Sequence, residues 1–320
     1  MKISLSGFVL GSFIPICFFA SLSLLDSYTG GDQVHYHRFY ELIRGVSFFD
    51  IQPIARSALN SVEPITWLVL WLGSNLGIDK NIWISGLNVI LLSGVAVALK
   101  KYQAPWYVYI LIFSNFYVLV VLTGAERLKI AYIFLAWAIV LEGRWRFLLL
   151  LLSPLAHLQS FILLASALCA FLSGQLRRVT ASYKISATHI RVLAILTFIG
   201  LALFGVLHDQ IIRKGLGYAN RGASVSEVLN ILVLLGIGVL IAKDRVRMML
   251  ALLPLVFAVS ILGGMRVNMM AVSVFLALLL FDRRLSHPMA IFLMLYLSVK
   301  SIPFVKNIYA YGNGFGGALW

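Results

Sequence analysis

Charged residues are scarce in this 320-residue sequence: Asp, Glu, Lys and Arg together make up 12% of it, where a soluble globular domain carries about 25%. Hydrophobic residues fill 61% and the mean hydropathy is +0.95, which excludes a water-soluble enzyme and a disordered tail. Cysteine is almost missing. Cys17 and Cys169 each lie inside an apolar run and no C-x-x-C occurs, which excludes a disulfide framework and a thiolate metal site. D-x-D pairs are absent, and no second His, Cys or acid stands at ligand spacing from His157, so neither a metal nor another cofactor is expected. Basic patches interleaved with aromatics are lacking too, and nucleic acid is not expected as a partner.

What the sequence does have is apolar length. Runs approaching the span of a membrane helix, about 17–25 residues, occur near 5–25, 82–99, 105–123, 128–141, 191–207, 228–242, 248–264, 267–281 and 288–302. The first is read as a retained span, because it opens on a single Lys and lacks an A-x-A-like exit before Asp26. Residues 147–172 are interrupted by Ser153-Pro154 and His157, which suits one tilted helix or two half-helices meeting at a break.

The positive-inside rule selects the break. If the segment turns back, fourteen Lys and Arg, among them Lys100-Lys101, Arg144, Arg146, Arg245, Arg247 and Arg283-Arg284, gather on one side against only Glu142, Asp244 and Asp282. Twelve bases and nine acids remain on the other, so a pI near 10 is mostly an orientation signal. The run 65–78 is too short to cross and reads as a re-entrant or interfacial piece. The expectation is an all-α, polytopic membrane protein with about 10–11 transmembrane helices, some short or broken. It forms one integral membrane domain over 1–320, with a polar external loop at 26–63 carrying an amphipathic helix and a basic external loop at 208–227.

Five of the twelve acids fall within 26–63. If 32–42 is helical, Asp32, Tyr36, Phe39 and Tyr40 share a face, after a Gly30-Gly31 cap that leaves the Asp32 carboxylate near the positive end of the dipole. Such a helix lies against the bilayer through its aromatics, or sets a carboxylate beside an aromatic wall that stacks on a sugar. Glu63-Pro64 opens the next apolar run, as ordinary capping or as a second acid returning to the membrane surface. Arg127 stands at a helix start, where the dipole disfavours a cation, so it needs an anion or a carboxylate; the bland partner is its neighbour Glu126. His157 follows the Pro154 break, either as a packing residue or as one that lines a cavity. Arg213 and Arg221 lie in the basic loop, and Arg266 interrupts two apolar runs where nothing structural asks for a cation. Converging guanidinium groups at a membrane-level cleft would suit a diphosphate.

In this arrangement the chain resembles the EpsG-like, Wzy-type polymerases of bacterial surface polysaccharides. The likeness rests on GGDQVHYHRFY (30–40), similar to that family's G-x-D-x-x-x-Y loop; on Glu63-Pro64; on ERLKIAYIFL (126–135), with Ala131 four residues after Arg127; on LAHLQSF (155–161), similar to its His-x-Ser-like break with Gln inserted; and on the late Arg266. It departs from the family in having one span before the Asp loop and Leu128 where Gln is common. The resemblance implies a GT-C-like fold in the bacterial inner membrane. It implies a glycosyltransferase acting at the periplasmic face on undecaprenyl-diphosphate-linked oligosaccharide, with a chain-length regulator protein as a further partner beside membrane lipids. Asp32, Glu63 and His157 are then the catalytic candidates, and Arg127, Arg213, Arg221, Arg266, Tyr36 and Tyr40 the substrate and diphosphate ligands. The rival readings are a lipid-linked glycan flippase, against which no internal repeat is seen, and a membrane acyltransferase, which would want a catalytic His with an acidic or Arg partner near the cytoplasmic entry, whereas His157 is placed outside.

Overall fold

The structure, a computed structural model, describes residues 5–182, 225–262 and 264–316. All its elements are helical, with no strand among the described residues. The chain forms two compact units: residues 1–160 with 285–320, and residues 161–284.

In the first unit α1 (Leu5–Ser27) ends in a turn through Gly30 and Gly31, and α2 (Asp32–Leu42) leaves at 99° to it. Gly31 takes φ +58°, a conformation that favours glycine, and starts α2 as its N-cap. A short 3-10 turn (Phe48–Asp50) leads into α3 (Ile51–Leu59), which ends on Asn60 in the left-handed region. Next comes α4 (Pro64–Asn75), whose proline at the first turn needs no amide partner. An apolar core joins α2, α3 and α4 through Tyr36, Phe39, Tyr40, Ile43, Ile51, Ala55, Leu59, Trp67 and Leu70. The aromatics of α2 therefore pack inside the protein and not against the bilayer, as the simpler sequence reading had it. Tyr40 is part of that core, its hydroxyl donating to the Ile78 carbonyl at 3.1 Å. Asp32 is exposed; the buried polar residue on that face is Gln33.

Then follow α5 (Lys80–Lys101), α6 (Trp106–Phe113), α7 (Phe116–Gly124), α8 (Glu126–Val140) and α9 (Gly143–Ala156). Helices α5 and α8 run parallel. At one end Lys80 faces Glu126 at 3.9 Å; at the other Lys101 donates to the Val140 carbonyl at 3.0 Å and to Glu142 at 2.8 Å. The Lys101 ammonium holds the exposed Glu142 carboxyl below its ordinary range. Helix α9 doubles back along α8, with Arg146 Nε donating to the carbonyls of Ala138 and Leu141 and Ser153 near that of Ala131. His157 thus returns to the Glu126 end, away from Lys100, Lys101, Arg144 and Arg146.

Pro154 stays inside α9, and the chain breaks three residues later, at His157, before α10 (Ser160–Ser182) begins. The break thus lies at the histidine and not at the Ser153-Pro154 pair.

The second unit holds most of α10 with α11 (Val225–Ile241), α12 (Arg245–Leu262) and α13 (Gly264–Phe281). Asp282 ties its turns together, accepting from Lys243 N at 3.0 Å and Arg247 Nη2 at 2.6 Å. Helix α14 (Pro288–Tyr311) belongs to the first unit and packs on α1, α6 and α7; the Gly30 amide donates to the Gly312 carbonyl at 2.8 Å.

Among the described residues three helices, α5, α13 and α14, are long and apolar enough to cross a membrane, as a multi-pass membrane protein requires. The count becomes five if the pairs α1–α2, bent by 99°, and α6–α7, bent by 51°, are each one span. Most of the described apolar runs read from the sequence fall within single helices, with two departures in length. The run 105–123 breaks at Ser114-Asn115, and 128–141 becomes a helix of 15 residues, near 22 Å at about 1.5 Å per residue. The run 191–207 lies outside the described residues, as do Arg213 and Arg221.

Candidate functional site

Three chain segments meet around one carboxylate. Glu63 is the N-cap of α4, but its side chain makes no capping bond and turns outward from its own helix. It is 1% exposed. Arg127 Nη1 donates to Oε2 at 3.0 Å, and Ser61 Oγ donates to the same oxygen. His157 Nδ1 lies 3.0 Å from Oε1, and the Leu158 amide donates to Oε1 at 3.4 Å. Ser61 in turn accepts from the Glu63 amide and from Trp67 Nε1, both at 3.2 Å, so the loop holding the carboxylate is pinned to α4.

Each partner is placed by an interruption in a helix. Arg127 occupies the first turn of α8, and its Nε donates to the Tyr36 hydroxyl at 3.1 Å. His157 is the extended residue that ends α9, and its Nε2 lies 3.2 Å from Gln159 Oε1. The carbonyl of Ala156, freed at that helix end, accepts from Thr66 Oγ1 at 2.7 Å. The carboxylate partner that a cation at a helix start demands is therefore Glu63, 64 residues away, and not the adjacent Glu126.

Glu126 points the other way, into a second buried network. Its Oε2 accepts from Lys129 Nζ at 2.8 Å; its Oε1 accepts from Gln33 Nε2 at 2.8 Å. Lys80 donates to Gln33 Oε1, Gln33 also donates to the Thr123 carbonyl, and Lys129 to that of Leu122 at 2.9 Å. Exposure of Lys80, Glu126 and Lys129 is 3% or less. Together the two networks hold Glu63 and Glu126 against Arg127, Lys80 and Lys129, one positive charge in excess with His157 neutral. Sequence reasoning missed Gln33, Ser61, Lys80 and Lys129 as members. Lys80, the first residue of α5, carried the same signal as Arg127: a cation where the helix dipole repels one.

Of the nine candidates, Glu63, His157, Arg127 and Tyr36 come together. Tyr40 belongs to the core, and Asp32 lies exposed on the first turn of α2, its charge felt by the Tyr28 hydroxyl. Arg266 stands on the first turn of α13 in the second unit. Among the described residues no three His, Cys, Asp or Glu cluster to hold a metal ion.

Chemically, a carboxylate that accepts from imidazole Nδ1 fixes the ring and leaves Nε2 as the nitrogen that exchanges protons. Arg127 and Tyr36 place a cation and a phenol beside it. Compared with known proteins, the chain matches no family model, no curated protein and no solved structure.

Proposed function

We propose that the chain is a glycosyltransferase of the bacterial inner membrane, a GT-C-like helical protein joining undecaprenyl-diphosphate-linked oligosaccharide units into a surface polysaccharide at the periplasmic face. The observation that carries this reading is the convergence of Arg127, Glu63 and His157 from three separated segments at the end of α5 and α8 remote from the basic loops. With Gln159 turned aside and Nδ1–H held by Glu63, His157 Nε2 takes the proton of the acceptor hydroxyl while that oxygen bonds to the anomeric carbon. The bond from that carbon to the diphosphate breaks, and the lipid diphosphate leaves with the bonding pair. Glu63 balances the imidazolium. Arg127 and the positive excess around it favour the departing anion. Asp32, on the exposed first turn of α2, is assigned to the sugar. A chain-length regulator is its expected protein partner.

The test uses the purified chain in liposomes with lipid-linked repeat units. The wild type is expected to build a ladder of longer chains, and His157→Ala and Glu63→Gln to lose at least about 10²-fold in rate. Full-length polymer from both variants overturns the assignment.

A second reading is favoured by one observation: His157 has an acidic partner directly and an Arg through it, the partners a membrane acyltransferase wants, though at the end remote from the basic loops. Base-labile acyl groups on the glycan, lost in His157→Ala with chain length unchanged, would select that reading.

A further inference from the structure

Helix α4 is too short to cross a bilayer, and its attachments give its direction. At its start Glu63 is joined through Arg127 to Tyr36 of α2. Toward its end Ser74 Oγ donates to the Tyr40 carbonyl at 2.6 Å, Asn75 Nδ2 to that of Ile43 at 3.1 Å, and Trp71 Nε1 to that of Val46 at 2.7 Å. Helix α4 therefore travels alongside α2 in the same direction, and both of its ends stay in one layer. That layer is set across the end of α1 by the 99° turn. If α1 stands across the membrane, α2 and α4 lie along its surface.

The two faces of α4 differ. Thr66, Trp67, Leu70, Gly73 and Ser74 are buried against the protein. Leu68, Leu72 and Leu76, one turn apart, are 39%, 41% and 66% exposed. Phe49, beside the Phe48–Trp71 ring contact, is 90% exposed. Directly after α4 comes the spanning helix α5, which bears exposed Ile82 and Ile90 and is bonded to α4 through Trp83 Nε1 and the Val69 carbonyl at 3.0 Å. On α2, Asp32, His35, Arg38 and Glu41 form an exposed polar row, with Val34 and Leu42 exposed beside it.

We infer that α4 is an in-plane anchor whose Leu68–Leu72–Leu76 edge is seated among the acyl chains of the leaflet remote from Lys100-Lys101, while the polar row of α2 stays in water. An apolar helix edge at this level, flanked by polar groups, is stable at the boundary of headgroups and acyl chains. The inference is independent of the transferase reading. It puts Glu63, at the start of the same helix, close to the depth of lipid phosphates.

The experiment uses the full chain with Cys17→Ser and Cys169→Ser, carrying one cysteine at a time (Leu68→Cys, Leu72→Cys, Leu76→Cys, His35→Cys or Arg38→Cys). Each is nitroxide-labelled in phosphatidylethanolamine and phosphatidylglycerol liposomes. Labels at 68, 72 and 76 are expected to collide more with oxygen than with a water-soluble nickel chelate, and labels at 35 and 38 the reverse. Nickel access at the leucine positions overturns the inference, as does an immobilised label shielded from both reagents, the sign of a second copy or another protein on that face. Should a labelled variant misfold, Leu72→Trp with acyl-brominated lipid gives the same reading. More quenching than in the wild type supports the anchor, and equal quenching ends it.

Discussion

Glu63 serves a guanidinium, an imidazole, a hydroxyl and an amide at once, so removing it leaves several groups wanting. The expected result for Glu63→Ala is a loss of about 3–5 kcal/mol, because a nearly buried Arg127 is left without its counter-charge. Glu63→Ala with Arg127→Met is expected to recover a large part of that loss, as measured by thermal unfolding in detergent. A double variant no more stable than the single one would show that the pair is not coupled. Arg127 was legible as a residue in need of a partner, since the helix dipole and the membrane both oppose a lone cation there. Its partner was not, because Glu63 is remote in the chain and Glu126 adjacent. Gln33 was not legible for a related reason. An acid draws the eye, yet the buried position has to accept from Lys80 and donate to Glu126 together, which an amide does and a carboxylate does not. Gln33→Ala is accordingly expected to destabilise by about 1–3 kcal/mol, and Asp32→Ala to change unfolding by no more than about 0.5 kcal/mol.

Among elements, the breaks matter more than the helices. Their existence was partly readable: 147–172 did divide, but at His157 instead of Pro154, since a proline inside a helix near the membrane kinks it without ending it when the neighbouring carbonyls find other donors. The turning of α2 across α1 was not readable from periodicity, which records which face is apolar and says nothing of the angle between successive helices. The layer of α2 and α4 depends on close approach at Gly73, where an added Cβ would strike the Tyr40 hydroxyl and the Trp83 ring. Gly73→Ala is expected to lower stability by about 1–3 kcal/mol through overpacking. Gly86→Ala, also in a helix but with open space around it, is expected to raise it by up to about 1 kcal/mol. Unfolding midpoints of the two variants moving in the same direction would contradict the packing described.

At the scale of the molecule, the composition was enough to expect a membrane protein, because 61% hydrophobic residues leave few other solvents for the chain, and the apolar helices agree with it. Orientation is the open physical variable, and the ends of α5 supply its markers. Cysteines introduced as Asp32→Cys and Lys101→Cys are expected to react with an impermeant maleimide from opposite sides, the first in intact spheroplasts and the second only in inverted vesicles. Labelling of both from one side would reverse the reading of the charge asymmetry.

The paired tethers of α5 and α8 have a mechanical meaning. Slippage of one against the other by a helical turn, about 5.4 Å, would tear Lys80 from Glu126 and Lys101 from Glu142 in one stroke, stranding ions in a dry interior at the first of these. The two rods act as a ruler. His157 and Glu63, tied to one end of it through Arg127, are held at a constant distance from the far end, where Lys101 meets Glu142.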